Sequence, residues 1–117
     1  MLPVPTAEIL EEPTRTLDAW SAYLVPLDGL EQPWTCHLTG FRREGCKGQV
    51  SSPVIALDTQ RRRARTRTGS VYELAGRPGH NADAFATWSR WKHGLHVGQE
   101  KDVTEELDLL LSPSVDD

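Results

Sequence analysis

From Trp34 to Phe41 the chain alternates, with Trp34, Cys36 and Leu38 set against Thr35, His37 and Thr39. Successive side chains of an extended chain point to opposite faces, so a period of two predicts a half-buried strand. Arg42-Arg43-Glu44-Gly45 supplies a turn after it. Val50–Leu57 reads as a second strand, in which Pro53, lacking an N–H, is tolerable only at an edge or a bulge. A third runs from Arg61 to Leu74 after Asp58-Thr59-Gln60, and Gly69 inside it marks a bulge or a close backbone contact. Three consecutive strands connected in this way predict an antiparallel meander.

Two segments repeat at helical spacing instead. Thr14 or Thr16 can cap a helix whose stripe is Leu17, Trp20 and Leu24, with Tyr23 beside it. Asp18 in its first turn suits the positive end of the helix dipole. Pro26 ends it, because a residue before proline is pushed out of helical conformation. Leu27-Asp28-Gly29-Leu30 is turn chemistry. The better-specified helix begins at the cap Asn81 and runs from Ala82 to about His93, with Gly94 at the left-handed terminator position. Its stripe is Ala84, Trp88, Trp91 and Leu95, with Phe85 adjacent, and it is expected to lie on the uncharged face of the sheet. A short helix from Thr104 carries Leu107, Leu110 and Leu111.

The fold class predicted is α+β: a three- or four-stranded antiparallel meander with one amphipathic helix packed on a face and partly ordered acidic ends. With 117 residues and 38% hydrophobic content, one domain with one modest core is expected. Residues 1–13, with Pro3, Pro5 and Pro13, form a flexible lead-in. Residues 14–97 form the domain, and 98–117 an acidic segment. No apolar run approaches the roughly 20 residues that span a bilayer, and the N-terminus lacks a basic segment followed by an apolar one. A cytoplasmic protein with no membrane contact is the expectation.

Charge changes this picture. The net value is −4, yet residues 41–67 hold eight Lys and Arg against two acidic residues. Residues 1–40 hold six acidic residues against one basic, and residues 98–117 seven against one. On an extended Arg61–Leu74 segment, Arg61, Arg63, Arg65 and Arg67 share one face, and Ala64, Thr66, Thr68, Tyr72 and Leu74 the other. Guanidinium groups pair bidentately with carboxylates and phosphates, so this ribbon, with Arg42 and Arg43 of the preceding turn, is the candidate partner-binding surface. Thr66, Thr68 and Ser70 add hydroxyls from the reverse face or the rim. The same arginines can instead keep a solvated edge strand soluble, or be covered by acidic ends that fold back over the basic face.

Other chemistry has little support. Nucleophile elbows, phosphate-binding glycine loops and paired carboxylates do not occur. Cys36 and Cys46 are too far apart for a zinc knuckle and read as reduced thiols. A site from Cys36, His37, Cys46 and His80 lacks a close ligand pair, and His93 and His96 straddle a helix end. No metal and no cofactor are expected. Trp88 and Trp91 have the spacing of a core stripe, although the same pair can stack bases.

Val50-Ser51-Ser52-Pro53-Val54-Ile55, Asp58 and Thr66-Arg67-Thr68-Gly69-Ser70-Val71-Tyr72-Glu73-Leu74 resemble a motif pair in short proteins of phages and other bacterial mobile elements. Trp34-Thr35-Cys36-His37-Leu38-Thr39-Gly40 is similar to the opening of those proteins, so the resemblance covers residues 34–76. It implies a small accessory protein and carries no functional residues across.

The function expected is therefore a non-enzymatic binding protein that inhibits or modulates a host macromolecule, such as a bacterial defence complex. Its partner is an anionic surface of a host protein or ribonucleoprotein. The alternative is a nucleic-acid or nucleotide binder using the same face, and the third a small hydrolase or nuclease. The acidic ends, which repel a duplex, rank the first above the second. An exposed strand edge would also let two copies pair as a homodimer.

Overall fold

The computed structural model describes residues 2–113. It is an α+β protein with strands β1 (Arg15–Val25), β2 (Thr35–Arg42), β3 (Lys47–Val50), β4 (Val54–Asp58), β5 (Arg63–Thr66), β6 (Val71–Leu74) and β7 (Lys101–Asp102). Helix α1 (Ala82–Gly94) precedes β7, and α2 (Thr104–Leu110) follows it. The seven strands form one sheet in the order β3-β2-β1-β6-β5-β4, with β7 paired to β1. This is more strands than the meander expected from sequence, and the sheet is mixed. β1 and β6 run parallel, with Arg15 opposite Tyr72 and Leu17 opposite Leu74.

The first helix expected from sequence is a strand. Leu17, Trp20, Ala22 and Leu24 of β1 are all buried. The step of three between Leu17 and Trp20 comes from a β-bulge: Asp18 pairs with Phe41 and Ser21 with Thr39, so β1 spends three residues where β2 spends two. Ala19 takes a left-handed φ of 47° there. Beyond the bulge the period is two. A bulge thus produced the helical spacing, while the β-branched and aromatic residues around it favour a strand.

The expected arginine strand is a complete hairpin. β5 and β6 pair antiparallel, Arg63 opposite Glu73 and Arg65 opposite Val71. Gly69, at φ 93°, turns the chain between them where a side chain would be strained. The strand expected over 50–57 is also divided. Pro53 separates β3 from β4, which lie at opposite ends of the sheet order.

Alternation in β2 sorts the two faces. Cys36 and Leu38 join Leu17, Trp20, Leu57, Tyr72, Leu74, Val103 and Leu107 in the main core. Residues Thr35, His37 and Thr39 point the other way, towards α1. Asn81 caps α1, its Oδ1 accepting from the Ala84 N–H at 2.9 Å. Trp88 is buried against Tyr23, with ring centroids 4.8 Å apart. Leu95, placed in the stripe by sequence, is half exposed, as is Phe85.

The N-terminal segment, expected as a flexible lead-in, runs along the sheet edge. Thr6 bridges Leu57 in parallel, Ala7 donates to the Leu57 carbonyl, and Leu57 donates to Pro5. Ile9 is completely buried against Ala56 and Val71. In the C-terminal segment, α2 buries Leu107, and Leu111 follows it into the core, whereas Leu110 is half exposed.

Candidate functional site

The arginines singled out from sequence do share a face in part, since Ala64 and Thr66 are buried while Arg63 and Arg65 point away. Oxygens of the same chain engage that face, leaving Arg63 and Arg65 17% and 31% exposed and Arg61 and Arg67 38% and 50%. Arg63 donates to the backbone carbonyls of Ile9 and Glu11 and lies 3.3 Å from the Glu12 carboxylate. Arg65 pairs with Glu11. Arg61 reaches Asp58 at 3.1 Å and Glu8 at 3.7 Å, and Arg67 reaches Asp28 at 2.8 Å. Arg62 has a left-handed φ of 59° and donates to the carbonyls of Leu74, Gly76 and Ser112.

The turn arginines behave alike. Arg43 binds Asp18 bidentately at 2.7 and 2.8 Å, and Arg42 donates to the Glu44 carbonyl. Asp58 anchors the arrangement from below. Its carboxylate accepts from the N–H groups of Ile9, Gln60 and Arg61. Burial works against that charge, yet the Ile9 and Arg61 donors outweigh it and bring the carboxyl down to about 2. Each arginine of the sequence-predicted surface therefore engages an oxygen of its own chain.

A second cationic region lies between β3 and α1. Gly48 faces the helix so closely that a Cβ there would sit 2.3 Å from the Asp83 carbonyl oxygen. Only glycine lets the start of α1 rest on β3. The polar flank of the helix, Asp83, Thr87 and Arg90, follows i, i+4, i+7 spacing, and Asp83 and Thr87 lie directly over Gly48 of β3. Together with Lys47, Gln49 and Trp91 it lines an open groove of about 540 Å³. Among the described residues, Lys47 makes no ion pair, and the Arg90 side chain donates a hydrogen bond to the Thr87 hydroxyl at 3.4 Å and pairs with no carboxylate.

The groove has a rigid aromatic wall. Trp91 is stacked on Trp88, with centroids 5.1 Å apart and planes 12° from parallel, and the His37 ring lies 4.7 Å away. His37 is fully buried. Its Nδ1 lies 2.8 Å from the Ser51 carbonyl, which can only accept, so Nδ1 carries the proton. Nε2 then accepts from the Thr35 hydroxyl at 2.7 Å. Burial lowers the histidine pKa, and the neutral ring supports Trp91 from beneath.

Sequence reasoning counted Lys47 within the basic 41–67 block without singling it out, and passed over Arg90, which stands apart from that block. The available signal was the i, i+4, i+7 polar flank of α1 beside its aromatic stripe. The residues weighed for metal binding do not come together. Cys36 is buried, its thiol pushed up to about 12 by that burial, whereas Cys46 is exposed. His80 packs on Phe85. Among the described residues no three His, Cys, Asp or Glu side chains are placed to hold a metal ion, and no helix is long and apolar enough to cross a membrane. Comparison with known proteins finds no matching family model, curated protein or solved structure.

Proposed function

We propose that this protein is a non-enzymatic binding module that engages an acidic surface of another macromolecule through the β3–α1 groove. The observation that carries this is the pairing pattern of its cations. Arg61, Arg63, Arg65 and Arg67 meet carboxylates of the chain, whereas Lys47 and Arg90 flank an open groove beside a braced tryptophan and meet none among the described residues. Two cations around an aromatic wall suit a carboxylate-bearing ligand, and Trp91 adds apolar area at little entropic cost. The resemblance of residues 34–76 to short phage and mobile-element proteins supplies a context, a small accessory protein, in which the partner proposed is a host macromolecule such as a defence complex and the outcome its inhibition or modulation.

The test compares capture from bacterial cytoplasm by the wild-type protein and by the Lys47→Glu, Arg90→Glu variant, before and after nuclease treatment. A protein complex that resists nuclease and disappears in the variant is expected. A complex that nuclease removes would instead make the groove a nucleic-acid site. Equal capture by both proteins would remove the groove from consideration.

A further inference from the structure

The two edges of the sheet differ in a way that identifies how the groove is filled. At the β4 edge the chain's own N-terminal segment makes one parallel bridge, with Thr6 opposite Leu57 and reciprocal main-chain bonds of 3.0 Å, before its glutamates begin. The adjacent glutamates Glu11 and Glu12 then reach Arg65 and Arg63. At the β3 edge, among the described residues, no strand lies outside Lys47–Val50. Resting on the groove proposed above, we infer that β3 accepts an extended acidic segment of a partner protein as an additional strand.

Three observations select this occupant. First, a strand edge offers both N–H and C=O groups, and a peptide supplies both complements, whereas a nucleic-acid backbone offers phosphate acceptors but no matching row of donors. Second, Gly48 faces α1, so Lys47 and Gln49 face the opposite side of the sheet by the period of two. The groove therefore has Arg90 on one face and Lys47 on the other. Consecutive side chains of an added strand point to opposite faces, so two adjacent acidic residues meet the two cations in turn. Third, the neighbouring carboxylates Glu11 and Glu12 already answer two arginines near the other edge, there both on one face of β5. The partner segment is thus short and extended, with neighbouring carboxylates flanked by strand-forming residues.

The probe is a synthetic peptide carrying two adjacent glutamates between valine and threonine residues, with a second version N-methylated at alternate backbone positions. Binding to the full chain is followed by amide chemical shifts and calorimetry. The unmodified peptide is expected to shift the amides of Lys47 to Val50, and N-methylation to weaken it about tenfold or more by removing strand hydrogen bonds. Equal affinity of the two peptides would overturn strand addition while leaving a charge-binding groove in place. No shift at β3 with either peptide, binding of a single-stranded oligonucleotide instead, or self-association at that edge would overturn the inference. Loss of peptide binding in Lys47→Glu, Arg90→Glu tests the groove separately from the strand geometry.

Discussion

Along Arg61–Arg67 each guanidinium ends on an oxygen supplied by the same chain, whereas Lys47 and Arg90 face solvent across a groove. The first region is dense in charge and the second sparse, yet the sparse one is open. Density of like charge along a strand raises the repulsion that the fold must relieve. The acidic residues at positions 8–12 relieve it locally, and Asp28 does so at the turn. Within this run Arg61, Arg63 and Arg65 hold the N-terminal segment, while Arg67 holds Asp28. Cations contributed singly by different elements are left facing outward, because no equally dense acidic segment lies against them among the described residues.

The largest expected effect tests what holds the groove together. Trp88→Ala should cost about 3–5 kcal/mol in denaturant unfolding, since the side chain is buried and braces Trp91. Ile9→Ala should cost about 2–4 kcal/mol by the same measurement, since apolar burial and main-chain bonds hold the N-terminal segment more firmly than exposed ion pairs do. An Ile9→Ala protein as stable as wild type would mean that the segment contributes little, and that the hairpin arginines are available after all.

Arg63→Glu with Arg65→Glu separates the regions directly. Reversal removes the charged bonds to the Ile9 and Glu11 carbonyls and places four carboxylates together, counting Glu11 and Glu12. A loss of about 1–3 kcal/mol is expected, limited by the exposure of both glutamates. Partner capture should survive. Unchanged stability with lost capture would return the binding surface to the hairpin.

What was legible in the sequence follows from where local pattern and tertiary structure agree. The strand at Thr35–Arg42 has an uninterrupted alternation, and α1 has its cap, its dipole charges and its stripe, so both were readable. Leu17–Leu24 was not, because one bulge residue at Ala19 converts a two-residue period into the three-plus-four spacing of a helix. The parallel β1–β6 pairing was hidden because it joins distant segments with no local sign. The hairpin arginines were visible as a ribbon. The segment engaging them was not, since the burial of Ile9, the Asp58 anchor and the main-chain bonds to Leu57 that draw that polar stretch onto the sheet all come from residues distant in sequence. Lys47 and Arg90 come to line one groove only once Gly48 lets the helix approach.

Acid should act on the two regions through different groups. The folded His37 pKa lies below its ordinary value, so the unfolded chain binds more protons, and stability falls as pH drops below the usual histidine range. Asp58 is also lowered, to about 2, so its contribution is present above the ordinary carboxylate range and lost as pH falls towards 2. Thermal melting should show a first decline below about pH 6.5, removed in His37→Phe, and a second below about pH 4, removed in Asp58→Asn. A melting temperature unchanged between pH 7 and pH 5 would mean that His37 is not held neutral beneath Trp91.

The smallest effect on stability should accompany the largest effect on binding. Neither Lys47 nor Arg90, which donates to Thr87, pairs with a carboxylate among the described residues, so Lys47→Glu with Arg90→Glu should leave stability within about 0.5 kcal/mol. Capture of the partner should nevertheless be lost, and the wild-type affinity should weaken with salt as expected for partly exposed charges. The two double reversals together form a crossed test. One should damage the fold and spare binding; the other should spare the fold and abolish binding. If both variants lose binding in proportion to their loss of stability, the two cationic regions are not separable and the groove has no function of its own.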